Sequence, residues 1–235
     1  MSFKENLKAS IKSQGWLTKL LRNYRDGLLF TKSYKRSIKG TNNKLNINNS
    51  ARFVNSSIII NGNNNTINIG ADSFFKNVEI FISGNSNRID IEKLVSFNKG
   101  GSLWVEDEHC KITIGMESTF ENAHIAATES NSKITIGSDC MFAYDIDVRT
   151  GDSHAILDNS TKKRINAAQN VNIEDHVWIG AHVSILKGAY IASNSIVATR
   201  SVVTKKFEQR NILLAGIPAV AIKDNIIWTR ERIPD

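Results

Sequence analysis

The chain has 235 residues, 41% of them hydrophobic, with two cysteines and two prolines. That length and apolar content support one long buried core. No apolar run approaches bilayer-spanning length and no apolar signal region follows the N-terminus, so a cytoplasmic address is expected. The net charge of +7 is concentrated in residues 1–40, which hold ten Lys/Arg against two Asp/Glu; no recognition motif accompanies that charge, which argues against nucleic acid as the partner.

Residues 1–43 read as a basic amphipathic helical cap. Ser2 and Glu5 have capping-box spacing, and Phe3, Leu7 and Ile11, then Leu17, Leu20, Leu21, Tyr24 and Leu28, recur at helical intervals around a break at Gly15. Two uses stay open for this segment: covering the open end of a repeat structure, or peripheral contact of residues 1–40 with a membrane surface or an anionic polymer.

From Lys44 the pattern changes. Leu45/Ile47, Ile67/Ile69, Ile89/Ile91, Ile112/Ile114 and Ile134/Ile136 are paired aliphatics 22 or 23 residues apart, a period long enough for one turn of a solenoid. Gly62-Asn63-Asn64-Asn65 and Gly84-Asn85-Ser86-Asn87 supply residue types that tolerate positive φ and bond their own backbone. Cys110 and Cys140 are too few for a disulfide framework and are expected as buried thiols in a reducing compartment.

Further on the period shortens to six. Ile136, Phe142 and Val148 obey it, the pattern lapses, and Ile173, Ile179, Ile185, Ile191, Val197 and Val203 resume it. A helix repeats its buried face every 3.6 residues and a strand every two, so a strict six means that each hexad forms one short side of a coil. Three such sides make an 18-residue coil. Val177, Val183, Ala189, Ser195 and Ser201 lie four places after the aliphatics, where a corner leaves little room. Residues 44–206 are therefore expected to form a parallel β-helix with a loop insertion at 155–172, followed by a C-terminal extension at 207–235.

An interruption in a solenoid is a loop pushed outward. This one follows Asp152 and His154, the parts of a general base: imidazole accepts a hydroxyl proton near neutrality and a carboxylate can orient its other nitrogen. The open alternative is a histidine that only caps a turn.

Four motifs follow one another over residues 134–228. They are Thr150-Gly151-Asp152-Ser153-His154-Ala155-Ile156, Lys163-Arg164-Ile165-Asn166, Asp175-His176-Val177-Trp178-Ile179-Gly180-Ala181, and Ala215-Gly216-Ile217-Pro218-Ala219-Val220-Ala221-Ile222-Lys223. In order and spacing this set resembles the hexapeptide-repeat O-acetyltransferases of bacterial surface polysaccharides, and by motif the capsular sialic acid and polysialic acid O-acetyltransferases among them. The 22-residue period upstream departs from the plain hexads of that family, and the resemblance says little about residues 1–133. It implies left-handed coils, a homotrimer with active sites in the clefts between subunits, acetyl-CoA as donor and a glycan acceptor. It also implies His154 as the base that deprotonates a sugar hydroxyl for direct transfer, Trp178 lining the channel of the CoA arm, and Gly216 and Pro218 in the turn that ends the cofactor groove.

The residues alone add further candidates. Lys205, Lys206, Lys223 and Arg230 near the final coils could meet the phosphates of CoA, and Gly180 and Ala198 are small where a cofactor could approach, although corner geometry explains them equally well. Arg149, Lys163 and Arg164 flank the loop and could pair with the carboxylate of an acidic sugar, or be plain surface charges. His154, His176 and His182 suggest a three-histidine zinc site, but their surroundings match the acetyltransferase pattern and no metal is expected. Two other functions stay open: acetyl transfer to a small acceptor such as an amino sugar nucleotide or serine, and a non-catalytic scaffold.

Overall fold

The computed structural model describes residues 33–234, which form twenty-two strands and no helix. The paired aliphatics stack in parallel register, Leu45 and Ile47 beside Ile67 and Ile69, and so on through Ile134 and Ile136 to Val171 and Ile173. Each coil thus lies one strand spacing, about 4.8 Å, beyond the last. The result is a left-handed parallel β-helix, the coil expected from the spacing and the hand implied by the resemblance.

Three faces make up each coil. The first is an eight-stranded ladder from Lys44–Ile47 to Lys206–Phe207. The second runs through Phe74–Lys76, Met141–Phe142, Trp178–Ile179 and Ile196–Val197 to Leu213–Gly216. The third runs through Val78–Ser83, Ile146–Arg149 and Ser184–Ile185 to Val202–Val203. In the early coils the long strands Arg52–Asn61, Ser96–Glu106 and Thr119–Ala127 run unbroken from the second face onto the third, and the extra residues of those coils lie beyond it, on the way back to the first face.

The hexad aliphatics from Ile173 to Val203 all point inward and are fully buried, and so are Val177, Val183, Ala189, Ser195 and Ser201 at the corners. Corner residues such as Asp139, His176 and Asn194 adopt positive φ, the conformation that turns the chain tightly. Inside the second face Phe53, Phe75, Phe97, Phe120 and Phe142 form a continuous stack with centroids 4.9, 5.8, 4.3 and 4.5 Å apart. At the corner between the third and first faces Asn65 Oδ1 accepts from Asn87 N at 2.9 Å while its Nδ2 donates to the Gly84 carbonyl at 2.9 Å. Asn87 repeats the pattern with Cys110 N and the Asp107 carbonyl. Buried backbone polar groups that the turn would strand are satisfied in this way.

Three boundaries differ from expectation. Ser33–Lys39 is a strand, although residues 1–43 were expected to be helical; it hydrogen-bonds to the next coil, where Gly62 N donates to the Lys39 carbonyl. The helical pattern of residues 1–32 lies outside the described residues. The coils also continue beyond 206, because the hydrogen-bond ladder survives the loss of hexad spacing: Leu213 and Leu214 pair with Ile196 and Val197. Finally, Val171 and Asn172 are already strand, paired with Ile134 and Thr135, so the insertion ends earlier than 172.

Candidate functional site

The insertion leaves the third face after Arg149 and returns where Gln169 N donates to the Thr150 carbonyl at 2.9 Å. Its outer half is a small hairpin bridged between Leu157 and Arg164. Asp158 turns that hairpin, its Oδ1 accepting from Thr161 N at 2.7 Å and Ser160 N at 3.1 Å. The arm is exposed along its length, including Ile156, Leu157 and Ile165.

Its neck is closed by Asn166, which is buried. The Asn166 Nδ2 donates to Asp152 Oδ2 at 2.9 Å and to the His154 carbonyl at 2.8 Å, and its Oδ1 accepts from Ile156 N at 2.7 Å and Arg164 Nε at 3.1 Å. Lys187, one coil further on, pairs its ammonium with the Asp152 carboxylate and donates to the Asn166 carbonyl at 3.0 Å. The Lys187 ammonium first, and the Asn166 amide second, hold the Asp152 pKa below its ordinary value. Arg164 reaches Glu129 at 2.7 Å; that hydrogen bond outweighs burial and lowers the Glu129 pKa as well.

His154 therefore stands exposed at the rim of a clamped loop. Its amide donates to the Asp152 carbonyl at 2.8 Å, while the Asp152 carboxylate is turned to Lys187 and Asn166. Asp152 thus reaches His154 through the backbone in this arrangement, and the clamp is what its side chain serves.

The other residues singled out by sequence disperse. Trp178 lies outward on the second face, 38% exposed, between Met141 and Ile196. The loop springs from the edge between the third and first faces, so His154 and Trp178 occupy separate sides of one chain. Gly180 is buried, and a Cβ there would stand 2.7 Å from Thr199 N and 2.9 Å from the Val197 carbonyl, so coil packing alone requires glycine. Ala198, in the next coil, is half-buried and donates its amide to Leu214. Gly216 and Pro218 form the exposed turn of the hairpin between Leu213–Gly216 and Ala219–Lys223. Lys223 ends that hairpin beside Leu213 on the second face, whereas Lys206 pairs with Tyr190 on the first and Lys205 precedes it. Arg230 is committed elsewhere, its guanidinium bonded to Asp139 at 2.7 Å and Thr119 at 2.9 Å. Arg149 is forked onto Asp147 and Arg164 onto Glu129, which leaves Lys163 as the cation of the three whose charge no carboxylate among the described residues neutralises.

Lys206 also borders a depression of about 290 Å³ at the foot of the loop, lined by the amides of Gln169, Asn170 and Asn172 together with Gly188 and Tyr190. His176 and His182 each bond an aspartate of the preceding coil, Asp139 at 2.6 Å and Asp145 at 2.9 Å. Among the described residues no three His, Cys, Asp or Glu side chains gather as a metal cluster. Asn166 and Lys187 acquired no role from sequence. Asn166 stood within a recognised motif, but its partners Ile156, His154 and Asp152 lie 10 to 14 residues away, and Lys187 meets Asp152 across 35 residues.

The later coils form a three-sided parallel solenoid of hexads, broken by a histidine-bearing loop, and it is in this region that known transferases match the chain. The family model for bacterial transferase hexapeptide (six repeats) matches residues 170–205. Among curated proteins the chain is 39% identical over 120 residues to a polysialic acid O-acetyltransferase of Escherichia coli O1:K1 / APEC, covering 51% of this chain and 38% of that one. It is 33% identical over 122 residues to the polysialic acid O-acetyltransferase of Neisseria meningitidis, covering 52% and 56%. The matched segment thus spans about half or less of these curated relatives. Among solved structures, the polysialic acid O-acetyltransferase OatWY superposes with a TM-score of 0.79 at 33% identity, over 86% of this chain and 93% of that one. The chain belongs to the hexapeptide-repeat O-acetyltransferases.

Proposed function

We propose that this protein transfers the acetyl group of acetyl-CoA to a hydroxyl of a surface or capsular polysaccharide, with an acidic sugar such as sialic acid as the acceptor unit. The observation that carries the reading is the exposed His154 on a loop clamped by Asn166, Asp152 and Lys187. A loop held at its neck presents an imidazole at a fixed place, and effective general bases are positioned ones. The Nε2 or Nδ1 of His154 accepts the proton of the sugar hydroxyl as its oxygen forms the new bond to the thioester carbonyl carbon. The carbon–sulfur bond then breaks, and the imidazolium returns the proton to the departing thiolate.

Trp178 suits the donor side, since an exposed indole on a flat face can cover a pantetheine chain at little entropic cost. Lys163 and Lys206 suit the acceptor side, where one ammonium on the loop and another beside three amides fit a carboxylate and hydroxyls. Because His154 and Trp178 occupy separate sides of a chain, the reading includes a homotrimer in which the histidine of one copy faces the tryptophan of another. The apolar residues Ile156, Leu157 and Ile165 on the arm favour such a contact. Buried, unpaired Cys110 and Cys140 accord with a reducing, cytoplasmic setting.

The test is release of free CoA from acetyl-CoA against a panel of sialic acid, polysialic acid, other capsular glycans and small acceptors. Turnover with one acidic glycan, lost in His154→Ala, supports the reading. Turnover confined to a small amino sugar or to serine replaces the acceptor, and absence of both turnover and acetyl-CoA binding removes the enzyme.

A further inference from the structure

After the terminal hairpin the chain doubles back along the solenoid. Asn211 fixes the start of this return, donating Nδ2 to the Ile226 carbonyl at 3.0 Å and accepting the Ile226 amide at its own carbonyl at 3.0 Å. Trp228 comes next and is only 8% exposed. Its ring lies on His176, centroids 4.0 Å apart and planes 9° from parallel, and its Nε1 donates to the His176 carbonyl at 2.9 Å. The same imidazole is held from the other edge, Nδ1 by Asp139 at 2.6 Å, while its Nε2 faces the Trp228 carbonyl at 3.2 Å. Arg230 ends the run with Nε on Asp139, Nη2 on the Cys140 carbonyl at 2.9 Å and Nη1 on Thr119 Oγ1. Burial opposes the charge of Asp139, yet the Arg230 and His176 hydrogen bonds prevail and lower its pKa.

Residues 226–230 therefore cross several coils, from Asn211 back to Thr119, and they do so beside Trp178. Thr119, Met141, Trp178, Ile196 and Leu213 stack in one outward column of the second face. The Trp228 ring stands 6.1 Å from the Trp178 ring at 47°. Two tryptophans in tilted contact restrict each other's rotamers, and the Trp228 ring is immobilised on three sides by His176, Arg230 and the coil backbone.

We propose that this strap belongs to the donor site, with Trp228 a positioning residue that sets the orientation of the Trp178 indole for the acetyl donor. The proposal rests on the reading that Trp178 lines the donor channel. It gives a job to a buried indole, a doubly held histidine and an arginine that would otherwise serve only to tie down the end of the chain.

The experiment measures binding of CoA by calorimetry and the KM for acetyl-CoA, in the full chain and in Trp178→Ala, Trp228→Ala, Trp228→Phe and the Trp178/Trp228 double alanine variant. Melting temperature and acceptor KM are followed in parallel. The expected result is an approximately tenfold loss of donor affinity in each single alanine variant, with unchanged acceptor KM, because one side chain acts through the other. The double variant should lose no more than the worse single variant, and Trp228→Phe, which keeps the stack, should recover most of the affinity. Loss in Trp178→Ala with wild-type donor binding in Trp228→Ala overturns the proposal and leaves the role of Trp178 standing. Additive losses also overturn it, since the two residues then act separately. Wild-type donor binding in Trp178→Ala removes the donor reading itself and the proposal with it. If Trp228→Ala unfolds, the comparison passes to Trp228→Phe and Arg230→Gln; wild-type donor binding in Arg230→Gln then overturns the proposal and weakened binding at an unchanged melting temperature supports it.

Discussion

The carbonyl of His154 accepts a hydrogen bond from Asn166 Nδ2 at 2.8 Å, and this contact closes the neck of a loop across twelve residues. The same nitrogen reaches Asp152, so the histidine and the aspartate are tied to one amide.

Replacement of His154 by alanine is expected to lower kcat by about a hundredfold or more, the usual contribution of a general base. The binding of acetyl-CoA should be unchanged. Single-turnover CoA release beside equilibrium binding checks both parts, and loss of binding instead would assign His154 to the donor site.

Lys187→Met removes the cation that pins Asp152 and the Asn166 carbonyl while keeping the stem that packs at the coil corner. A drop in kcat of about ten- to a hundredfold is expected, in the range that misplacement of a catalytic group costs. The melting temperature should hardly move. Equal loss in KM for the acceptor and none in kcat would make Lys187 a binding residue.

The clamp should be sensitive to acid. Asp152 and Glu129 have folded pKa values below the ordinary values of about 3.9 and 4.3. Their contribution is thus complete above those ordinary values and is lost as pH falls through the lower, folded ones. Limited proteolysis within residues 155–165 should rise steeply below about pH 4, and Lys187→Met should already be cut faster at neutral pH. Proteolysis independent of pH would show that the carboxylates do not hold the loop.

In the core, Phe97→Ala opens the aromatic stack between Phe75 and Phe120 and should cost about 3–5 kcal/mol, the usual penalty for deleting a buried ring. Urea denaturation measures it. Asn87→Ala should cost about 1–3 kcal/mol, because Cys110 N and the Asp107 carbonyl lose their partner.

Burial pushes the Cys140 thiol up to about 12 and raises that of Cys110. Neither is expected to react with a thiol reagent in the native protein, and both should react in denaturant. The reagent can then count released CoA without interference; rapid native labelling would contradict the packing at these corners.

Much of the fold could be read from spacing because a solenoid repeats its environment. Ile173 to Val203 declared their face by recurring every six residues, and the aliphatic pairs from Leu45 to Ile136 by recurring every 22 or 23. Phe53, Phe75, Phe97 and Phe120 carry the same period, but one ring in every 22 residues is a weaker signal than a pair of aliphatics, so their stack shows only once the coils are formed. The candidate site was less open to reading by spacing. His154 and Trp178 stood in motifs, but the partners of Asp152 arise from the way the insertion folds back, where Lys187 arrives 35 residues later. Charge in sequence also overstated what is available, because Arg149, Arg164 and Arg230 spend theirs on Asp147, Glu129 and Asp139.

The stacked ladders make the upstream body a ruler graduated in whole coils. Excising residues 66–87 would set Arg88 in the place of Thr66 beside Lys44, hand the Cys110 amide from Asn87 to Asn65, and lay Phe97 over Phe53. The rod would shorten by about 4.8 Å without any change to the loop or the strap.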